Sequence, residues 1–288
     1  MGKWTTGIVL ILITVYSVFV IIDYHTEKKD LNPYDFTISG EGCLILNYHR
    51  VRSSNYLIKP LDKLTMTYSG DMELTVYSIY EDEFKEQIMY LKNKGFRFIE
   101  PNELKRYIRY DETLPKKCAL ITFDDGDVSI YKNAYPFLAE EGIPFTLFII
   151  TGEVGNPDFN GLELASWNQI KEMRNSGFAT IGTHTHRMHY LDKSENPPFL
   201  SLNKINDFDQ DTQLTIKTIE EKLGFTPTYY AYPYGFGMPQ TDEILLESGY
   251  ELVFTLSPGL VKQGDPSFFI KRVLISRHTW SNVVEWIR

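Results

Sequence analysis

Two kinds of apolar spacing alternate along this chain. Short unbroken runs such as Cys43-Leu44-Ile45-Leu46-Asn47-Tyr48, Cys118-Ala119-Leu120-Ile121 and Pro144 to Ile150 are the right length for strands buried on both faces. Between them, apolar residues return every three or four positions. From Glu81 to Lys94, Phe84, Ile88 and Leu91 share one face, so the spacing predicts an amphipathic helix that Gly95 ends. The same reading predicts a strand over 96–99, a helix over 102–110, a strand over 118–123 and a helix over 130–141 closed by Gly142. A strand over 144–150 leads to a helix over 166–175 with Ser166 as its cap, then a strand over 178–183. A helix over 207–223 ends at Gly224, and a strand over 228–232 follows. A helix over 241–248 ends at Gly249, and strands over 250–256 and 270–275 complete the series. Strands alternating with helices imply an α/β fold with a parallel sheet and helices outside. Seven or so strands favour a closed barrel over an open sheet. Residues 52–76 have few long apolar runs and are expected to form a long loop or hairpin excursion.

The first residues follow a different pattern. Trp4 to Ile22 carries no charge and is rich in Ile, Val and Leu, which is enough to cross a bilayer as a helix. Lys3 precedes the run and Asp23 follows it, so the weight of positive charge puts the N-terminus inside and the rest of the chain outside. The run ends in Val18-Phe19-Val20-Ile21-Ile22-Asp23, a poor cleavage site, which favours a retained anchor over a removed signal. The expected organisation is therefore a transmembrane anchor or signal over 1–25, a polar tether over 26–41 and one catalytic domain over 42–288. The domain would act on the outer face of the membrane, or be secreted and held at the cell surface.

Composition narrows the partners. A net charge of −9 argues against nucleic acid. The aromatic content of 14% suits a sugar-binding cleft, but most of these rings are expected in the core. Cys43 and Cys118 each begin a strand-like run, and two buried small hydrophobes are the simpler reading; a disulfide requires that the two strands be neighbours.

The candidate chemistry lies at predicted strand ends. The strand over 118–123 runs into Asp124-Asp125-Gly126, and the strand over 178–183 runs into His184-Thr185-His186-Arg187-Met188-His189. Strand ends facing a cleft are where α/β barrels carry their chemistry. One Asp with two His would hold a metal and leave a coordination position open for water. Asp124 and Asp125 point to opposite sides of an extended chain, so one would bind metal and the other stay free. A turn-forming role for the pair and chance clustering of the histidines are the competing readings. His49, ending the first strand, would be a substrate contact, a support to the site or a structural hydrogen-bonding group.

Thr122-Phe123-Asp124-Asp125-Gly126, the His-Thr cluster and Ala231-Tyr232-Pro233-Tyr234-Gly235 resemble the successive motifs of polysaccharide deacetylases with the NodB-homology domain, carbohydrate esterase family 4. Leu46 to Arg52 and Tyr77 to Leu91 resemble the subgroup that acts on poly-β-1,6-N-acetylglucosamine. The resemblance implies a distorted (β/α)₇ barrel, a bound Zn²⁺ or similar divalent ion, and hydrolysis of N-acetyl groups. It implies Asp125, His184 and His189 as metal ligands, since Met188 stands where the commoner spacing has its second His. His186 is then a bystander or substrate contact. Asp124 is implied as general base, the Tyr234 amide as oxyanion donor, and His278 as candidate acid. The Arg that usually orients the base is replaced by Tyr229 and Tyr230, and Arg272 is expected to supply that contact. No Asp and Trp pair supporting the acid is evident, which predicts a slow enzyme. Expected partners are the polymer, the membrane and exopolysaccharide synthase machinery. Alternatives are a peptidoglycan or chitin-oligosaccharide deacetylase and a non-catalytic glycan-binding subunit of a synthesis complex.

Overall fold

The computed structural model describes residues 36–54 and 76–288. The expected anchor over 1–25, most of the tether and most of the 52–76 excursion lie outside these residues. Among the described residues, no helix is long and apolar enough to cross a membrane.

The chain is α/β, with a sheet curled into a distorted barrel. In chain order the strands are β1 (Cys43–Tyr48), β2 (Arg50–Arg52), β3 (Ser78–Tyr80), β4 (Arg97–Phe98), β5 (Cys118–Phe123), β6 (Phe145–Ile149), β7 (Ala179–Thr183), β8 (Tyr229–Ala231), β9 (Leu252–Phe254), β10 (Leu260–Val261) and β11 (Val273–Leu274). The helices are α1 (Glu81–Asn93), α2 (Pro101–Ile108), α3 (Tyr135–Glu140), α4 (Trp167–Asn175), α5 (Ile205–Leu223), α6 (Pro239–Glu247) and α7 (Trp280–Ile287). The main sheet runs β10-β1-β5-β6-β7-β8-β9, and every pair from β1 to β9 along that path is parallel. The curl continues past β9. Ile270 exchanges backbone hydrogen bonds with Val253 and Thr255 at 2.9 Å, while β11 pairs with β1 in parallel.

β1, β5 and β6 are buried at every position, as parallel strands covered on both faces must be. Alternate residues of these strands serve two cores. Leu44, Leu46, Tyr48, Ile121, Phe123, Phe145 and Leu147 pack outward with Phe84 and Ile88 of α1 and Ile170 of α4. Ile45, Leu120, Phe148, Ala231, Leu252, Phe254 and Ile270 fill the barrel itself. Gly182 is required for this filling, because a Cβ there would fall 2.5 Å from the Phe148 ring.

The register makes Cys43 and Cys118 neighbours, since Leu44 pairs with Ala119. Their Cα atoms lie 5.0 Å apart and the two form a disulfide, in place of the pair of buried thiols that was the simpler sequence reading. The helix expected over 130–141 is a π-turn over 130–134 followed by α3. The short strands β3 and β10 and the C-terminal α7 are elements that the apolar spacing does not announce.

Candidate active site

The carboxyl ends of β1, β5, β7 and β8 meet on one side of the sheet. β1 and β5 run in register, Tyr48 opposite Phe123, and the Asp124 amide donates to the Tyr48 carbonyl at 3.0 Å. His49 therefore emerges beside Asp124. After Asp124 the chain turns sharply, with Asp125 at φ 69° and Gly126 at φ 88°. A non-glycine residue in the left-handed region is uncommon, and such residues gather at functional sites. Asp125, Thr185 (φ 71°) and Tyr234 (φ 60°) each occupy it at the end of a different strand of this rim.

Asp125, His184 and His189 converge, with one ligand atom from each inside a 4.8 Å span. His184 Nε2 stands 3.5 Å and His189 Nε2 3.1 Å from Asp125 Oδ1. His184 Nδ1 lies 2.7 Å from the Ala231 carbonyl, which can only accept, so the proton of the neutral ring sits on Nδ1. Its Nε2 lone pair then faces a carboxylate oxygen that accepts no hydrogen bond among the described residues. Two lone pairs aimed at one point repel unless a cation lies between them, so the donor set fits a divalent metal ion. Burial pushes His184 down to about 4 against the attraction of Asp124, which keeps the ring neutral and able to ligate. Burial works against charge on both Asp125 and His189, but their mutual attraction prevails: Asp125 is held well below the usual carboxylate range and His189 is raised.

Asp124 is fully buried and turned away from the triad. Arg272, itself fully buried, grips it with two hydrogen bonds, Nη1 to Oδ1 at 2.7 Å and Nη2 to Oδ2 at 2.8 Å. Burial alone would raise the pKa of Asp124. The Arg272 guanidinium, aided by His184, outweighs it and lowers the value. Arg272 is steadied in turn by the Thr255 carbonyl at 2.8 Å and the Thr122 hydroxyl at 3.3 Å. Its guanidinium also lies within 6.0 Å of the Phe148 and Phe254 ring centroids.

Tyr234 joins the cluster through its ring, 5.0 Å from that of His189. Met188, four residues after His184, is buried with Phe199, Phe208 and Tyr232 and is unavailable to the site. His186 turns away, its Nδ1 3.0 Å from the Thr151 hydroxyl. His278 is not brought to the cluster: its side chain is exposed on the turn before α7, and its amide bonds to the Ser276 hydroxyl. The histidine that the two carboxylates do feel is His49, which lowers both and packs its ring 4.6 Å from that of Tyr77. The sequence signal for His49 was its place at the end of the first strand, one residue past Tyr48.

A carboxylate and two imidazoles at the mouth of a curled parallel sheet, with a second carboxylate locked beside them, define a hydrolytic metal-type site. The chain belongs to the polysaccharide deacetylase family, whose model matches residues 111–253. It is 30% identical over 281 residues to the poly-β-1,6-N-acetyl-D-glucosamine N-deacetylase of Staphylococcus aureus strain MRSA252, covering 96% of this chain and 94% of that protein. It is 33% identical over 254 residues to the enzyme of the same name from Staphylococcus epidermidis, covering 85% and 83%. Among solved structures, IcaB from Ammonifex degensii superposes with a TM-score of 0.77 at 39% identity, over 88% of this chain and 99% of that one. The chain is accordingly a deacetylase enzyme with an α/β barrel-like fold.

Proposed function

We propose that this enzyme removes N-acetyl groups from poly-β-1,6-N-acetyl-D-glucosamine, using a divalent ion, Zn²⁺, held by Asp125, His184 and His189. The observation that carries the metal reading is the convergence of those three ligand atoms with an unprotonated His184 Nε2 aimed at an unpartnered Asp125 oxygen. The substrate reading is supported by the relatives' names together with near-complete mutual coverage.

When bound, the ion supplies Lewis acidity toward the acetamide carbonyl and lowers the pKa of water. The protein residues do the rest. Asp124 takes a proton from the attacking water as general base, and Arg272 holds both its oxygens so that it is ionised and fixed before substrate arrives. The water oxygen bonds to the acetyl carbon, and the Tyr234 amide donates to the carbonyl oxygen as charge builds there. The C–N bond then breaks, acetate leaves, and the departing amine takes a proton. His49 is the proposed donor of that proton, in place of His278, because His49 lies beside Asp124 and His278 does not.

In this reading residues 42–288 form one (β/α)₇ deacetylase domain, residues 26–41 a tether, and residues 1–25 a membrane anchor. The domain would work at the outer cell surface, beside the exopolysaccharide synthase machinery. Each acetyl removed uncovers an amine, so the polymer gains positive charge and adheres to anionic surfaces, as in a biofilm.

Acetate release from defined β-1,6 and β-1,4 N-acetylglucosamine oligomers, each with and without chelator, tests this. Release from the β-1,6 series that chelator stops and Zn²⁺ restores is the expected result. Equal rates on both linkages would overturn the substrate assignment, and chelator-resistant release would overturn the metal.

A further inference from the structure

The mechanism leaves one buried carboxylate without a task. Asp211 lies on the core-facing side of α5, in line with Phe208, Thr212, Thr215 and Ile219, where an apolar residue would be expected. It is 7% exposed and makes no ion pair among the described residues. Both its oxygens are committed to main chain on the rim of the site. Oδ2 accepts the His186 amide at 2.6 Å and Oδ1 accepts the Arg187 amide at 2.7 Å. Two amide bonds to one buried charge are strong for their kind.

The far side of the same ribbon is held as firmly. The Thr151 and Gly152 amides donate to the Thr185 and His186 carbonyls at 3.0 and 2.9 Å. A Cβ at Gly152 would come 2.5 Å from the His186 carbonyl and 2.7 Å from the Arg187 side chain. Four successive main-chain polar groups between the two ligating imidazoles are thus gripped from two directions. The span needs this grip. His184 ends a strand, Thr185 takes a left-handed turn, and His189 has to come back over five residues to face Asp125. Nothing within the span itself is helical or sheet-paired to guide it.

We propose that Asp211 is a positioning residue for the metal: it sets the path of the His184–His189 span and so places His189 Nε2 against Asp125. The inference rests on the metal reading above. Asp211→Asn keeps the shape and one acceptor but turns an amide group toward the second N–H, so the ribbon loses one of its two ties. Residues that orient ligands typically change metal affinity by roughly 10–100-fold when altered, and a weakening in that range is expected here.

The test strips the whole protein of metal and titrates Zn²⁺ against a chromophoric chelator, for wild type, Asp211→Asn and Gly152→Ala. Visible absorption of the Co²⁺-loaded proteins and melting of the stripped proteins are recorded alongside. Weaker Zn²⁺ binding and an altered Co²⁺ spectrum in Asp211→Asn, with the stripped protein still folded, support the proposal. If Asp211→Asn does not fold, the same two changes in Gly152→Ala, which displaces the ribbon from its other side, support it, and their absence there overturns it. Wild-type affinity and spectrum in a folded Asp211→Asn overturn the inference while leaving the metal reading intact. A wild-type protein that takes up no Zn²⁺ overturns both.

Discussion

The Asp124–Arg272 pair shows how much depends on single side chains here. Neither group touches water, so removing one strands the other's charge in the core. Arg272→Ala is expected to destabilise the protein by roughly 3–5 kcal/mol, measured by urea denaturation, and to remove most activity. Asp124→Asn keeps the shape and should reduce acetate release by roughly 10²–10⁴-fold while bound metal, read by elemental analysis, stays at the wild-type level. Acid sensitivity follows from the same neighbourhood. Asp124 has a lowered pKa in the folded state, so its contribution is present above the unfolded value and is lost as pH falls through the folded one. In the metal-stripped protein His184 acts in the same direction. Its folded value of about 4 lies below the ordinary 6.5, so between those two values the unfolded chain binds more protons and stability falls with pH. Urea midpoints of stripped protein should decline across that window, and His184→Asn should flatten the decline.

Elements were legible where local pattern decides them. The runs that become β1, β5 and β6 are unbroken and apolar, and α1 and α4 show their faces and ends in sequence. Ser166 is an example: its hydroxyl accepts the Gln169 amide while the Gln169 side chain accepts the Ser166 amide, a capping box visible as Ser-x-x-Gln. Ser166→Ala should cost about 1 kcal/mol and lower the melting temperature by about 2–4 °C with turnover unchanged, checked by thermal melting beside an acetate assay. What depends on distant pairing was not legible. β10 is a two-residue strand made by its antiparallel contact with β1, and α7 is too short for its spacing to stand out. The site divides in the same way. The Asp-Asp-Gly and His motifs sit next to their strands and could be read directly. The exposure of His278 and the approach of His49 to Asp124 depend on how the β1 and β11 ends are arranged around the sheet, which spacing does not encode. Asp211 did leave a trace, a charge in the apolar stripe of a predicted helix.

At the scale of the whole molecule, two long-range links hold the barrel's first strands. The Cys43–Cys118 bond joins the starts of β1 and β5 across 75 residues of chain. Closing a loop of that size contributes roughly 4 kcal/mol in the chain-entropy account, and oxidised pairs persist in proteins outside the cytoplasm. A Cys43→Ala, Cys118→Ala double variant should lose about 2–5 kcal/mol of stability in urea while its turnover at low temperature stays near wild type, because the disulfide lies at the opposite end of the strands from the chemistry. The second link is Arg272, whose partner Asp124 lies 148 positions earlier in the chain. Every catalytic group assigned above precedes it, yet the base is unsupported until the final strand closes against the first. A chain emerging from the ribosome or threading through a membrane therefore carries its reactive groups in an inert form, and hydrolysis begins only once synthesis is almost finished.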